Sequence, residues 1–183
     1  MKILILDGGA RSGNDPLADY LASFEAALAS GGAEVRRIRL AEMEIRFCTG
    51  CWSCWWATPG LCALRDGMEE VYPAFLEADR VVWAVPLVLG TASALVKKTQ
   101  DRLIPLLHPY IELVDGECHH RRRYDRYPEL GLIVDPRDPD TTEDLAGTRL
   151  LFERFALNLR SRLVFFASTR ANPEEAAREA LAA

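Results

Sequence analysis

The chain has 183 residues, of which 49% are hydrophobic, so it is long and apolar enough to bury one full core. Its formal net charge of -5 disfavours nucleic acid and anionic membranes as main partners, because both attract a positively charged face. No apolar run reaches the length of a signal-peptide core or a membrane span, which predicts a cytoplasmic protein with reduced thiols. The five cysteines are therefore not expected to form a disulfide framework.

The first half of the chain alternates strand and helix signals. Residues 3–6 are a continuous apolar run followed by glycines, which is typical of a buried parallel strand. Residues 16–30 place their apolar side chains on one helical face and end at two glycines. Residues 33–40 alternate apolar and charged side chains, as strands near a sheet edge do. A cysteine-rich loop over 47–64 then precedes a predicted helix over 67–78.

The second half continues this alternation around one interruption. A strand is predicted over 80–86 and a long helix over 92–107. Residues 109–129 are polar and aromatic without a clear period, which indicates an irregular insertion within the domain. A fourth strand at 130–135 and an amphipathic helix at 141–159 follow.

A last strand at 163–167 and a closing helix at 173–182 complete the pattern. Five strands alternating with helices predict a single α/β domain over 1–183, with an open parallel sheet covered by helices on both faces. Ligands of such sheets bind beyond the carboxyl ends of the strands, at the point where the strand order reverses.

A glycine-rich loop follows the first strand and opens a helix, from Asp7 to Pro16. Its glycines and the helix N-terminus suit an anion, and Arg11 is placed to contact a phosphate. A tight turn at this position also needs glycine, and the pattern is neither a Walker loop nor the dinucleotide fingerprint. The loop by itself therefore leaves an anion site and a plain turn both open.

Residues 1–105 contain a series of short motifs in a definite order. They are the N-terminal strand and loop, Cys-x-Gly-Cys-x-x-Cys at 48–54, Asp66-x-Met68, Ala78-Asp79, Pro86 with Gly90, Ser93-Ala94-x-x-x-Lys97, and Asp101-Arg102. In this order they resemble the NADPH-dependent FMN reductases and iron–sulfur flavoproteins. The resemblance implies a flavodoxin-like, doubly wound, five-stranded parallel sheet in the order 2-1-3-4-5.

The resemblance implies an FMN-binding, NAD(P)H-dependent oxidoreductase or electron-transfer flavoprotein. It implies no catalytic side chain, because the flavin itself carries the hydride or electron chemistry. The implied cofactor-binding residues are Gly9, Ala10, Arg11, Ser12, Gly13, Asn14 and Asp15 for the phosphate, and Pro86, Leu87, Val88, Leu89 and Gly90 for the ring.

Asp15 departs from the family pattern, which has Thr or Ser at the corresponding position of a loop one residue longer. A carboxylate near a phosphate costs about 2–3 kcal/mol at an effective dielectric near 20. Such a cost weakens FMN binding by roughly a hundredfold without abolishing it.

Four cysteines have the spacing C-x2-C-x2-C-x7-C, namely Cys48, Cys51, Cys54 and Cys62. The first three match the compact spacing that wraps thiolates around one 4Fe-4S cluster. Structural zinc, a redox dithiol of Cys51 and Cys54, and bare thiols remain alternatives. The interleaved Trp52, Trp55 and Trp56 indicate a subunit contact, and hence a homodimer or homotetramer.

The insertion carries Cys118, His119 and His120 beside a basic cluster of Arg121, Arg122, Arg123 and Arg126. Adjacent histidines on a strand point to opposite faces, which disfavours a metal site here. A solvated loop explains the arginines, and contact with the phosphate of NADPH is the functional alternative.

Two functions therefore remain in competition. One is the flavoprotein oxidoreductase, with a small molecule or a redox protein as electron acceptor. The alternative is a non-enzymatic metal-binding or protein-interaction module whose FMN site has degenerated, which the short loop and Asp15 favour.

Overall fold

A computed structural model of the chain describes residues 1–10, 15–137 and 139–183. Within these ranges the chain forms the strands β1 (Lys2–Asp7), β2 (Glu34–Arg39), β3 (Arg80–Val88), β4 (Thr91–Ala92), β5 (Leu107–Val114), β6 (Glu117–Arg122), β7 (Glu129–Asp135) and β8 (Leu163–Ser168). The helices in the same ranges are α1 (Pro16–Ser30), α2 (Ser53–Trp56), α3 (Met68–Glu77), α4 (Ala94–Asp101), α5 (Thr142–Asn158) and α6 (Pro173–Ala182).

The central sheet has the order β2-β1-β3-β7-β8, and its neighbouring strands are all parallel. β1 lies between β2 and β3, with Ile5 opposite Arg37 of β2 on one side and Val82 of β3 on the other. Its apolar run is buried from Ile3 onward, as strands covered on both faces are. The predicted doubly wound arrangement is therefore confirmed.

The five predicted parallel strands are all present, and a short sixth strand that was not predicted, β4, pairs antiparallel with the end of β3. Leu89 (φ 53°) and Gly90 (φ 75°) form the two-residue turn between them. Two successive positive φ values are typical of a tight hairpin turn. The turn was not predicted from the sequence, because only one of its two residues is glycine.

Helices cover both faces of the sheet. α1 and α6 pack on one face through an apolar cluster that includes Phe24 and Ala177, while α3, α4 and α5 cover the other. On that second face Trp83 is fully buried and meets Phe152 and Phe155 edge-on, with ring centroids 6.1 and 5.7 Å away.

The predicted helix over 92–107 is too long. α4 ends at Asp101, a short 3-10 helix follows at Ile104–Leu106, and Leu107 already begins β5. Pro105 lies within that 3-10 helix and has no backbone N–H to continue an α-helix, which explains the early end.

The insertion over 109–129 is not irregular, contrary to the sequence-based expectation. β5 and β6 form an antiparallel hairpin, with Leu113 opposite Cys118. Asp115 (φ 51°) and Gly116 (φ 82°) make its turn, and Asp-Gly is a strong hairpin signal that the sequence did offer. The hairpin packs on α5, where the buried His119 places Nδ1 3.2 Å from Asn158 Oδ1.

Among the helices in the described ranges, none combines the length and the apolar character that crossing a membrane requires.

Candidate functional site

The loops after β1 and β3 meet at one edge of the sheet, because parallel strands end on the same side. The N–H of Gly8 donates to the carbonyl of Ala84 at 2.9 Å, so the first loop lies directly on the end of β3. A Cβ on Gly8 would lie 2.9 Å from the same carbonyl oxygen, so this close approach requires glycine. Of the predicted cofactor residues, Arg11, Ser12, Gly13 and Asn14 lie outside the described residues.

The described part of the first loop directs its N–H groups at the chain's own carboxylates. Asp7 Oδ1 accepts from the N–H of Gly9 at 2.8 Å. Asp15 Oδ2 accepts from the N–H of Ala10, and its Oδ1 from the N–H of Leu17, each at 3.2 Å. The second bond caps α1, whereas the first ties the side chain back onto the loop.

Arginines neutralise the carboxylates at this edge. Arg37 places Nη2 2.7 Å from the buried Asp7 Oδ2. Arg137 places its own Nη2 2.7 Å from Asp135 Oδ2 and 3.6 Å from Asp15 Oδ1. Neither arginine was predicted as part of the site. For Arg37, the charged residues that alternate along β2 were a signal that one side of that strand faces polar partners.

The turn between β3 and β4 presents apolar side chains to solvent at the same edge. Leu89 is 98% exposed and Val88 is 53% exposed. Gly90 lies so close to α5 that a Cβ there would be 2.4 Å from Asp144 Oδ1. An exposed apolar turn beside a switch point offers a surface that a flat aromatic ring would cover.

This edge fits the two ends of FMN unequally. The exposed turn suits the ring, since apolar surface favours contact with an aromatic system. On the phosphate side, the described N–H donors of Gly9 and Ala10 are already engaged by Asp7 and Asp15.

The four predicted metal ligands come together elsewhere. Cys48, Cys51, Cys54 and Cys62 all line one cavity of about 320 Å³, hereafter the cysteine cavity. Two positive φ values bend the loop around it, 65° at Gly50 and 59° at Trp52. All four thiols are free of disulfides.

The cysteine cavity is walled by aromatic side chains. Trp55 stacks on Trp52 with ring centroids 4.7 Å apart, and its ring contacts the tilted ring of His120 at 4.9 Å. Its Nε1 donates to the carbonyl of Leu107 at 3.1 Å. The loop is thereby attached to the β5–β6 hairpin. Trp56 instead is 69% exposed.

The thiols of the cysteine cavity differ in their surroundings. Hydrogen bonds from Ser53 and Thr49 lower the pKa of the exposed Cys51. Burial and neighbouring thiols raise the pKa of Cys54. Among the described residues, no three His, Cys, Asp or Glu side chains are arranged to hold a single metal ion.

A buried ion pair lies against the cysteine cavity. Arg102 Nη1 is 2.8 Å from Asp66 Oδ2, and both side chains are 1% exposed. Burial opposes ionisation of Asp66, but hydrogen bonds from Arg102 and from the N–H groups of Arg46 and Met68 outweigh it and lower its pKa to about 2. Arg102 Nε is buried and has no partner among the described residues.

The basic cluster of the hairpin is divided among separate contacts. Arg123 donates to the carbonyls of Pro105 and Leu107, so it holds the hairpin to the preceding 3-10 helix. Arg122 donates to the carbonyl of Arg160. The predicted NADPH contact stays a prediction. His119 and His120 contact different neighbours, as adjacent strand residues do.

Comparison with known proteins agrees with these features. The family described as NADPH-dependent FMN reductase matches residues 1–115, which is more than half of the chain. An iron-sulfur flavoprotein of Archaeoglobus fulgidus is 33% identical over 81 residues, 44% of this chain and 36% of the relative. An iron-sulfur flavoprotein of Methanocaldococcus jannaschii is 33% identical over 107 residues, 58% of this chain and 53% of the relative. The matched part thus spans about half or less of these relatives' length.

A solved structure supports the fold over nearly the whole chain. An NAD(P)H:quinone oxidoreductase from Methanothermobacter marburgensis superposes with a TM-score of 0.68 at 16% identity, covering 97% of this chain and 92% of that one. The flavodoxin-like fold is confirmed by this likeness together with the strand arrangement. The match over residues 1–115 spans β1 through β5 and includes the edge loop, the β3–β4 turn and the cysteine cavity's loop. The chain therefore belongs to the NADPH-dependent FMN reductase family.

Proposed function

We propose that this chain is an NAD(P)H-dependent oxidoreductase that binds FMN at the carboxyl edge of its sheet. The observation that carries the proposal is the meeting of the β1 loop and the exposed β3–β4 turn at the switch point of a flavodoxin-like sheet. Membership of the family supports the same cofactor.

Gly9, Ala10 and Asp15 would face the phosphate together with residues 11–14, and residues 86–90 would lie against the ring. FMN supplies the hydride and electron chemistry when it is bound. The chain's own part would be to place the flavin and to shield one side of it with the apolar turn around Leu89, which is 98% exposed. No side chain is assigned as a general acid or base.

The cysteine cavity would hold a 4Fe-4S cluster, which supplies one-electron transfer when present. The support is that all four thiols line one cavity and that two curated relatives are named iron-sulfur flavoproteins. A single tetrahedral zinc ion needs sulfur atoms about 3.8 Å apart, given Zn–S bonds of about 2.3 Å. Zinc on the same four cysteines is the competing occupant, and metal analysis distinguishes the two because only the cluster brings iron and acid-labile sulfide.

Protein purified without oxygen tests both parts. We expect bound or reconstitutable FMN, together with iron and acid-labile sulfide, and oxidation of NADH or NADPH with a flavin, quinone or redox-protein acceptor. A colourless protein that does not bind added FMN would overturn the proposal of an oxidoreductase and favour the non-enzymatic module.

Cysteine variants separate the cluster from the flavin. Cys51→Ser is expected to lose iron and sulfide while keeping flavin binding, because Cys51 lines the cavity. Cys118→Ser is the matched control, since Cys118 is an exposed thiol on β6. Equal iron content in both variants would contradict the cluster assignment.

The proposal includes a homodimer or homotetramer that uses Trp52 and Trp56, which are 52% and 69% exposed. Sedimentation of the Trp52→Ala, Trp56→Ala double variant is expected to show smaller particles than the unmodified chain. An unchanged sedimentation coefficient would place the subunit contact elsewhere.

A further inference from the structure

We propose that His120 donates a hydrogen bond into the cysteine cavity and thereby raises the reduction potential of the 4Fe-4S cluster proposed there. His120 is not proposed as a ligand of iron, since the four cysteines that line the cavity supply the thiolates. This inference rests on the proposed function, because it concerns the same cavity and the same cluster.

The ring nitrogen Nδ1 of His120 is buried without a partner. His120 lines the cysteine cavity, and its ring centroid lies 4.9 Å from that of Trp55. Its Nδ1 makes no hydrogen bond to any residue that the structure describes. A buried polar atom left unpaired costs about 1–3 kcal/mol. An occupant of the cavity that accepts a hydrogen bond would remove this cost.

The neighbouring histidine of β6 shows the opposite condition. His119 places Nδ1 3.2 Å from Asn158 Oδ1 and Nε2 3.3 Å from Glu117 Oε2, so both of its nitrogens have partners. Contact with Trp55 explains an aromatic ring at His120 but not a buried nitrogen within it, because phenylalanine would make the same contact without a polar atom. Ring packing therefore leaves the nitrogen of His120 unexplained.

Arg102 brings a second donor to the same cavity. It lines the cavity and donates to Asp66 through Nη1 and Nη2, at 2.8 and 3.1 Å, while its buried Nε has no partner among the described residues. Burial opposes the charge of Arg102, but the hydrogen bond with Asp66 and the charges of Tyr72 and Cys62 outweigh it and raise its pKa. Cys62 therefore lies within electrostatic reach of a permanent cation. Two unpaired donors at one cavity indicate an occupant that accepts hydrogen bonds and is negatively charged.

Reduction would make the contents of the cavity more negative. Four thiolates around a 4Fe-4S core already carry a net negative charge, and one added electron increases it. A hydrogen-bond donor interacts more strongly with the more negative state, so it raises the reduction potential. The aromatic wall of Trp52, Trp55 and Phe155 lowers the local polarity, which strengthens such an interaction.

The experiment measures the midpoint potential of the cluster in protein purified without oxygen, by redox titration followed by electron paramagnetic resonance. His120→Phe keeps an aromatic ring against Trp55 and removes the donor. We expect it to lower the ratio of reduced to oxidised cluster at a fixed potential about tenfold. For a one-electron couple this is a shift of about 59 mV to more negative values. Iron and acid-labile sulfide should stay at the level of the unmodified chain.

Two further variants separate the nitrogen from the ring. His120→Asn keeps an N–H donor and removes the ring, so the same ratio should stay within about twofold of the unmodified chain. His108→Phe makes the same change as His120→Phe on β5, at a residue outside those that line the cysteine cavity. It is the control and should also leave the ratio within about twofold.

Four results would overturn the inference while leaving the proposed function intact. One is a ratio that His120→Phe changes less than about twofold, and another is an equal change in His108→Phe. A shift of His120→Asn as large as that of His120→Phe would assign the effect to the ring. Loss of iron and sulfide from both His120 variants would show a purely structural role. Absence of iron and sulfide from the unmodified chain would overturn the proposed cluster together with this inference.

Discussion

The edge loop around Asp15 and the cysteine cavity differ in how far their polar groups are paired within the chain. At the edge, the described N–H groups of Gly9 and Ala10 donate to Asp7 and Asp15, and Arg37 and Arg137 form ion pairs with Asp7 and Asp135. In the cavity, the four thiols form no disulfide, and the buried Arg102 Nε has no partner among the described residues. Sequence resemblance to a binding site and readiness to bind are therefore separate properties, since a site whose groups are already paired gains less from a ligand.

The largest expected effect concerns the ion pair that supports the cysteine cavity. Arg102→Ala leaves the Asp66 carboxylate buried without its partner, and such a loss costs about 3–5 kcal/mol of unfolding free energy. Urea denaturation measures it. Arg65→Ala is the control, because the Arg65–Glu69 pair is exposed and worth about 0.3–0.5 kcal/mol. Equal losses in the two variants would show that the cavity wall does not depend on this pair.

The same pair gives a pH dependence with a definite sign. The pKa of Asp66 falls from 3.8 to about 2 in the folded chain, so the unfolded chain binds the proton more readily. This stabilisation is present above the unfolded-state pKa of 3.8 and is lost as the pH falls through the folded-state pKa of about 2. Urea midpoints between pH 2 and pH 5 should therefore fall more steeply for the unmodified chain than for Asp66→Asn. Parallel curves would contradict the assignment.

Glycine substitutions measure how tightly the backbone is packed at the sheet edge and in the cysteine loop. Gly8→Ala brings a Cβ to 2.5 Å from Val96 Cγ2 and 2.9 Å from the Ala84 carbonyl oxygen, which we expect to cost about 1–3 kcal/mol. Gly50→Ala meets open space and costs only its positive φ, about 1 kcal/mol. Thermal unfolding of both variants checks the order, and a larger loss for Gly50→Ala would reverse it.

The smallest expected effect concerns the link between the cysteine loop and the hairpin. Trp55→Phe keeps an aromatic ring but loses the bond from Nε1 to the Leu107 carbonyl, worth about 1 kcal/mol. Hydrogen exchange should speed up in residues 48–64. Trp56→Phe, at a side chain 69% exposed, is the control. Unchanged exchange in Trp55→Phe would show that stacking alone holds the loop.

Local sequence patterns were sufficient for the sheet and for most helices. The apolar run of β1 and the helical spacing of α1 and α5 are properties of neighbouring residues, and the structure places these elements within a few positions of the prediction. The β5–β6 hairpin was not predicted, although Asp115-Gly116 is typical of a hairpin turn. The reason is that its strands lack a regular alternation of apolar and polar residues.

The site was less predictable, because its decisive contacts join residues far apart in the chain. Arg37 meets Asp7 across two adjacent strands, and Trp55 meets His120 between a loop and a hairpin. The charge of Asp15 was recognised from the sequence, but the carbonyl, amide and carboxylate positions around it depend on how the loop folds back. The sequence therefore identified Asp15 as the residue that departs from the family pattern, and only the structure showed which groups it contacts.

The double attachment of Asp15, to the helix start and to the loop, has an evolutionary consequence. Codons for aspartate and asparagine differ by a single nucleotide, and both residues begin a helix well. One point mutation can therefore remove the negative charge at this position and still leave an oxygen that caps α1. A lineage carrying this fold can change the charge beside the sheet edge in one step, with little change in the stability on which selection also acts.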